Sequence, residues 1–423
     1  MSSRILSLGL VLVLSASVSA QHRHAREYDH FDESPRPRAD VSYVLQMTLI
    51  PDSSLARGML ETVITNIGDS MLASVSLDVM EETTYRYVPP RQRDSAWRAG
   101  AIPPERACVI DSILFRGVPC DREQVMIVGG AMTIEIDKPL QPGERGHFLM
   151  ALTIRIGSIP AGDAHATAIW TDCWPRVTEL SSQHDTSAAS LRSRIEPADW
   201  RAQIALDSSY HLIHSGDLLN EKELYGTLPR PGREEVIVDV HENQPFMLED
   251  RMDRPEFSGV VARYFIDAPA ETDLVLIAAR DLARDIAANE KQRFSVYYPR
   301  SRSASWERWL VSDLKRLAAA LRLLLDWAPP TEMKAVVVPN VSQFASQSLI
   351  LVPASSGSAR TRARLALGIA GSGLRAPENQ AAVAPVGPNL QRGFAVMMLY
   401  AAYGDNASSS IHLLMPSLIQ ETE

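Results

Sequence analysis

Two histidines three residues apart, His211 and His214, and a His-Glu pair at His241-Glu242 come nearest in type to a metal-binding or hydrolytic centre. Two-histidine zinc chemistry needs both rings one helical turn apart and pointing the same way. His211 and His214 lie in an alternating stretch that reads as a strand, where an offset of three turns the rings to opposite faces. A structural pair is the expectation there. His241-Glu242-Asn243-Gln244-Pro245 begins like H-E-x-x-H but puts Pro245 where the second ligand belongs, and H-E-x-x-H itself occurs nowhere. His22, His24 and His30 sit in a charged, Pro-punctuated leader expected to be solvated, and His412 is isolated. Gly371-Ser372-Gly373 is not a G-x-S-x-G elbow, and 368–373 does not read as a G-x-G-x-x-G fingerprint. Trp306 and Trp309, at helical spacing, are expected in a core, and Met397-Met398 as apolar filler. Cys108 and Cys120 flank one short stretch and can close a small loop, leaving Cys173 over; no Cys/His zinc knuckle spacing exists.

The elements that must position these residues follow from hydropathy and spacing. The 423 residues are 45% hydrophobic and 22% charged, which suits folded domains with sizeable cores. Lys and Arg number 42 against 51 Asp and Glu, a formal charge of −9 without a dense basic stripe, so nucleic acid is not an expected partner. Arg4 precedes a short apolar run, 5–14, and small residues follow, with Val18 and Ala20 placed for signal peptidase. The reading is a signal peptide at 1–20, export to a periplasmic or extracellular space, and a flexible leader at 21–40. No later run is long enough to span a bilayer, so no transmembrane segment is expected after cleavage.

From Val41 the period becomes two. Tyr43, Leu45, Met47 and Leu49 alternate with polar neighbours, and similar runs recur at 60–67, 75–79, 109–115, 132–136 and 148–156, as in a β-sandwich. A second strand-rich block runs through 204–298, with 274–286 readable as strand turning to helix. Ser305 caps a predicted helix over 306–327, with Leu310, Leu314, Leu317 and Leu321 on one stripe, stopped by Pro329-Pro330. A buried strand is predicted at 333–338 and another at 349–352. The Ala-, Gly-, Ser- and Pro-rich stretch 355–388 reads as a long loop with room for one set of helical turns, and a last helix follows over 390–403, whose part 394–403, apolar on every side, is expected to be buried. The fold class is β-rich α+β.

This order is similar to the front half of the aminopeptidase N (gluzincin zinc metallopeptidase) family. Pro139-Leu140-Gln141-Pro142-Gly143-Glu144 before the strand at 148–156 resembles the family's "pL-x-P-G-E" turn. Trp174-Pro175-Arg176 stands at its aromatic-Pro segment, and 205–219, with Gly216, resembles its "P-x-x-y-x-v-x-s-G-x-l" strand pair. The stretch 294–299, the 306–327 helix and 333–339 match the opening of its catalytic domain. The resemblance implies an N-terminal β-sandwich or saddle domain at 41–225, a β extension at 226–300 joining the two domains, and a truncated thermolysin-like mixed α/β remnant at 301–423.

It also implies where zinc chemistry would stand. Ala401-Ala402-Tyr403-Gly404-Asp405 resembles the "Q-W-W-G-N" end of the zinc helix. Counting back, Val396, Met397 and Tyr400 occupy the first His, the Glu and the second His, and Glu421 lies near the third ligand's place. Ser346, Gln347 and Ser348 replace the Met-Glu-Asn of the "G-x-M-E-N" substrate strand. The implied protein is a degenerate member without a catalytic centre or cofactor. Its expected role is an exported binding or scaffolding module for a peptide or protein partner, reached by strand addition near 344–350. Two other readings stand beside it: the front part of a longer or split zinc metallopeptidase, and a cell-envelope β-sandwich structural protein.

Overall fold

Alternating side chains give the first strands one buried and one open face. Strand Val41–Ile50 buries Tyr43, Leu45, Met47 and Leu49 and pairs antiparallel with Leu55–Thr65, which buries Leu60 and Ile64. The computed structural model describes residues 40–86, 106–156, 167–178, 198–225, 236–238, 261–280, 282–288, 292–299, 310–325, 332–338, 344–345, 348–353, 358–374, 388–403, 406 and 410. The signal peptide, the leader up to residue 39, the 241–245 motif, Trp306, Trp309, Ser346, Gln347, His412 and Glu421 lie outside them.

Among the described residues the largest sheet runs in the order Asp217–Leu218, Val261–Glu271, Ala198–Asp207, Val41–Ile50, Leu55–Thr65, Arg145–Arg155, Ala107–Phe115, Thr83–Tyr85. A second sheet, Arg176–Val177, Leu72–Asp78, Ala131–Leu140, Val125–Val128, shares its core: Val75, Leu77, Met132 and Ile134 pack in the same cluster as Leu45, Leu60, Ile204 and Tyr264. The Pro142-Gly143 turn forms as expected, with Gly143 at φ 78 and the Glu144 N–H donating to the Gln141 carbonyl at 2.9 Å.

A third sheet has three strands, Thr167–Trp170, Leu276–Ala279 and His211–His214. Both of its faces are covered. Trp170, Leu212, Leu276 and Ala278 point into the β-domain core, while Ile213, Ile277 and Ala279 pack against Leu282, Tyr297, Val336, Leu349 and Leu351. Those last residues belong to a fourth, mixed sheet ordered Val236–Val238, Leu282–Ala288, Arg293–Pro299, Glu332–Val338, Leu349–Pro353, Phe344–Ala345. Arg293–Pro299, Glu332–Val338 and Leu349–Pro353 are parallel. The stretch 226–300, expected as a joining extension, thus supplies strands to both sides: 261–279 to the β domain and 282–299 to the mixed sheet. Leu276–Ala279 and Leu282–Ala288 are two strands, where a strand turning to helix was expected over 274–286.

Four α-helices are described: α1 (Glu221–Tyr225), α2 (Leu310–Leu325), α3 (Ser358–Leu374) and α4 (Pro388–Tyr403). The long three cover the far face of the mixed sheet, where Leu314, Leu317, Leu321, Leu365, Ile369, Met398 and Leu399 meet Val296, Ala335, Ile350 and Val352. Helix α3 occupies 358–374 of the stretch 355–388 expected mainly as a loop; 355–357 and 375–387 lie outside the described residues. The helix's glycines weaken it, but Ala, Leu and Arg favour a helix, and Ala363, Leu365, Ala366, Ile369 and Ala370 recur on one buried face that packing holds. Asp313 ties the three helices together, accepting from Arg362 Nε at 2.7 Å and Tyr403 Oη at 2.6 Å. All of these elements belong to one compact unit, Ala39–Glu423.

Candidate functional site

Helix α4 begins at Pro388, a good first residue because its missing N–H would find no intrahelical partner there. Its inner face is Ala395, Met398 and Leu399, all buried in the helical core. Of the positions of interest, Val396 is half-buried at the edge of that core, while Met397 at 45% and Tyr400 at 63% exposure lie on the outer face. The expectation that this helix is buried all round is corrected here. Apolar composition on every side does not say which sides are covered, and one stripe is open.

That stripe does not fit zinc. A valine offers hydrocarbon, a methionine a soft thioether and a neutral tyrosine a weakly basic phenol, whereas zinc is held by imidazole, thiolate or carboxylate. Among the described residues no group of three or more His, Cys, Asp or Glu is placed to hold a metal ion.

Ser348 is placed elsewhere. It is buried at 4% exposure and fastened through every polar atom. Its N–H and hydroxyl both donate to Glu271 Oε1, at 3.1 and 2.8 Å, and its Oγ accepts from the Gly216 N–H at 2.7 Å. Its carbonyl accepts from the Lys334 N–H at 2.7 Å. The structure thus ties Ser348 to the β domain and leaves Val396, Met397 and Tyr400 in the helical layer.

Around Ser348 lies a buried charged cluster that the sequence reading missed. Glu332 accepts from Arg284 Nη2 at 2.7 Å and Ser295 Oγ at 2.8 Å on one oxygen, and from Arg293 Nη2 at 2.8 Å on the other. Burial opposes its charge, yet Lys334, Arg284 and Arg293 outweigh that and hold the carboxyl well below the usual range. The Lys334 ammonium donates to the carbonyls of His214 at 3.1 Å and Gly216 at 2.7 Å. Burial lowers its pKa, against the pull of Glu332. His214 is pushed down to about 3 by burial and by the Lys334 charge, so its ring stays neutral. His211 and His214 are both buried in their strand, the structural placement expected of them. The available signal was Glu332 and Lys334 themselves, two charges in a stretch otherwise reading as a buried strand.

A second cluster surrounds Arg176, whose guanidinium meets Asp78 at 2.7 Å, Asp172 at 3.0 Å and Asp273 at 3.7 Å. Burial opposes the arginine's charge and the three carboxylates restore it. Asp273 Oδ2 accepts from Thr171 Oγ1 at 2.9 Å and the Asp172 N–H at 2.8 Å, while its Oδ1 makes no hydrogen bond. Burial pushes the Asp273 carboxyl up to about 7 despite Arg176.

Cys108, Cys120 and Cys173 are all buried free thiols, so the loop-closing bond between Cys108 and Cys120 is not formed in this structure. Burial raises Cys108 to about 12 and Cys120 to about 11.

No family model matches the chain, and no curated protein matches it. Among solved structures it is similar to the M1 zinc metallopeptidase of Deinococcus radiodurans, at TM-score 0.51 and 12% identity, over 91% of this chain and 75% of that one. A mutant of that Deinococcus radiodurans enzyme matches at TM-score 0.49 and 13% identity, over 91% and 76%. At such identity the likeness speaks to the fold: this chain has a strand-rich α+β fold resembling an M1 metallopeptidase.

Proposed function

We propose that the chain is an exported, non-catalytic aminopeptidase-like protein that binds a peptide or protein partner. The observation that carries this reading is the outer face of α4 and its edge, where a hydrocarbon, a thioether and a phenol stand at the positions of the resemblance's zinc motif. Without imidazole or carboxylate donors there, water at this face is not sharpened into a nucleophile. The same side chains suit binding. Methionine adapts its shape to an apolar partner, and tyrosine offers a large contact area at low entropic cost. Among the described residues, Phe344–Ala345 ends the mixed sheet and pairs antiparallel with Leu351 and Ile350, and this is the place where we put docking of an extended chain by strand addition.

The purified chain, soaked with zinc and desalted, is expected to retain far less than one equivalent and to leave aminoacyl chromogenic substrates intact. A labelled peptide library should show binding that Met397→Glu and Tyr400→Glu weaken. One tightly held zinc per chain with chelator-sensitive hydrolysis would overturn the proposal in favour of a zinc metallopeptidase.

A further inference from the structure

The mixed sheet and the β domain meet through two kinds of contact. One is apolar: Ile213, Ile277 and Ala279 against Tyr297, Val336, Leu349 and Leu351. Such contacts are non-directional and tolerate sliding. The other is the polar set around Ser348 and Lys334, and it is directional at every atom. Ser348 stands at the start of strand Leu349–Pro353, and its hydroxyl links the Glu271 carboxylate to the Gly216 N–H. The Lys334 ammonium closes the other side on the carbonyls of His214 and Gly216. Arg293 extends the seam by pairing with Glu221 of α1 at 2.8 Å.

Gly216 is the piece both sides grip, donating to Ser348 and accepting from Lys334. It sits at φ +76, and a Cβ there would lie 2.4 Å from Ala268 Cβ and 2.5 Å from the Asp267 carbonyl oxygen. The segment is therefore pressed against strand Val261–Glu271 on one side and held by the mixed sheet on the other. Buried polar groups of this kind add little net stability but penalise any arrangement that leaves one of them unpaired. A slide or rotation of the mixed sheet strands an ammonium, a carboxylate and a hydroxyl together.

We propose that Ser348 and Lys334 form an interdomain clasp, which fixes the strand Leu349–Pro353 in register with the β domain and makes the two cores open as one cooperative unit. The proposal is independent of what the α4 face binds.

Hydrogen exchange on the full chain tests it with a perturbation placed away from the clasp. Leu317→Ala opens a cavity in the helical core and loosens the mixed sheet. With the clasp intact, exchange in 211–218 should accelerate by the same factor as in 332–338 and 349–353, about tenfold or more. In Ser348→Ala and Lys334→Met backgrounds the acceleration should stay on the mixed-sheet side, leaving 211–218 at the rate of the background variant. Two clasp variants are used because either alone can fold poorly. If Leu317→Ala never reaches 211–218, or reaches it equally with and without the clasp, the clasp does not couple the two cores and the proposal fails.

Discussion

Replacing Asp273 with asparagine should stabilise the protein near neutral pH, because the native carboxylate is held where its charge is poorly tolerated. The group is fully buried, and its pKa is raised from the ordinary 3.8 to about 7 by burial, with Arg176 at 3.7 Å pulling the other way. A carboxyl raised on folding contributes stability that is complete below 3.8 and is lost as pH climbs through about 7. At about 1.4 kcal/mol for each pH unit between those values, the loss is about 4 kcal/mol. Asparagine cannot ionise and escapes that loss. It retains an oxygen for Thr171 Oγ1 and the Asp172 N–H, and Arg176 keeps Asp78 and Asp172. The new amide N–H₂ meets the place where Oδ1 had no hydrogen-bond partner, which costs about 1 kcal/mol. The variant should therefore be slightly weaker at pH 4 and stronger by about 3 kcal/mol above pH 7. Urea unfolding of both proteins across pH 4 to 8, followed by fluorescence of the buried Trp170, Trp174 and Trp200, reads the difference. A difference that is flat with pH, or that falls as pH rises, would refute the reasoning.

Other outcomes can be checked as directly. His214 is held neutral at a pKa of about 3, a depressed value that removes stability as pH falls below the unfolded value, so its ring resonances should not titrate between pH 5 and 8. Gly216→Ala should cost about 3 kcal/mol or prevent folding, read as a large fall in Tm, because the clash is with backbone and the φ is positive. The three thiols, buried and raised in pKa, should react with a chromogenic disulfide reagent only after unfolding, and then all three together; one thiol alone would mean that Cys108 and Cys120 are bonded. Met397→Glu should leave Tm within about 1 °C, since nearly half of Met397 is exposed, while reducing peptide binding.

Much of the β architecture was legible because alternation is a local signal. Tyr43, Leu45, Met47 and Leu49 announce a half-buried strand without reference to anything distant. Helix α2 was legible for the same reason, its leucines recurring at three and four residues. Helix α3 was not: Gly368, Gly371 and Gly373 and the Ser- and Pro-rich flanks masked its helix-favouring Ala, Leu and Arg, and its stripe becomes meaningful only once the sheet it covers exists. On α4 the identities of Val396, Met397 and Tyr400 could be read, but not that the side of the helix carrying Met397 and Tyr400 is open. The seam was least legible. Gly216, Glu271, Lys334 and Ser348 are far apart in the chain, and their partnership is set by tertiary packing alone.

The sheet of Thr167–Trp170, Leu276–Ala279 and His211–His214 has no wet side, since neighbouring residues of each strand feed different cores. That bears on how the chain can be divided. A fragment ending at residue 225 would lose the middle strand of this sheet and also Val261–Glu271, leaving Trp200 Nε1 and Trp174 Nε1 without their carbonyl acceptors at Glu271 and Leu274. The complementary fragment would present Ile277 and Ala279 on a strand without neighbours. Proteases and fragment designers alike should find no productive cut near that point, and the shortest autonomous piece containing the first strand must extend through Ala279.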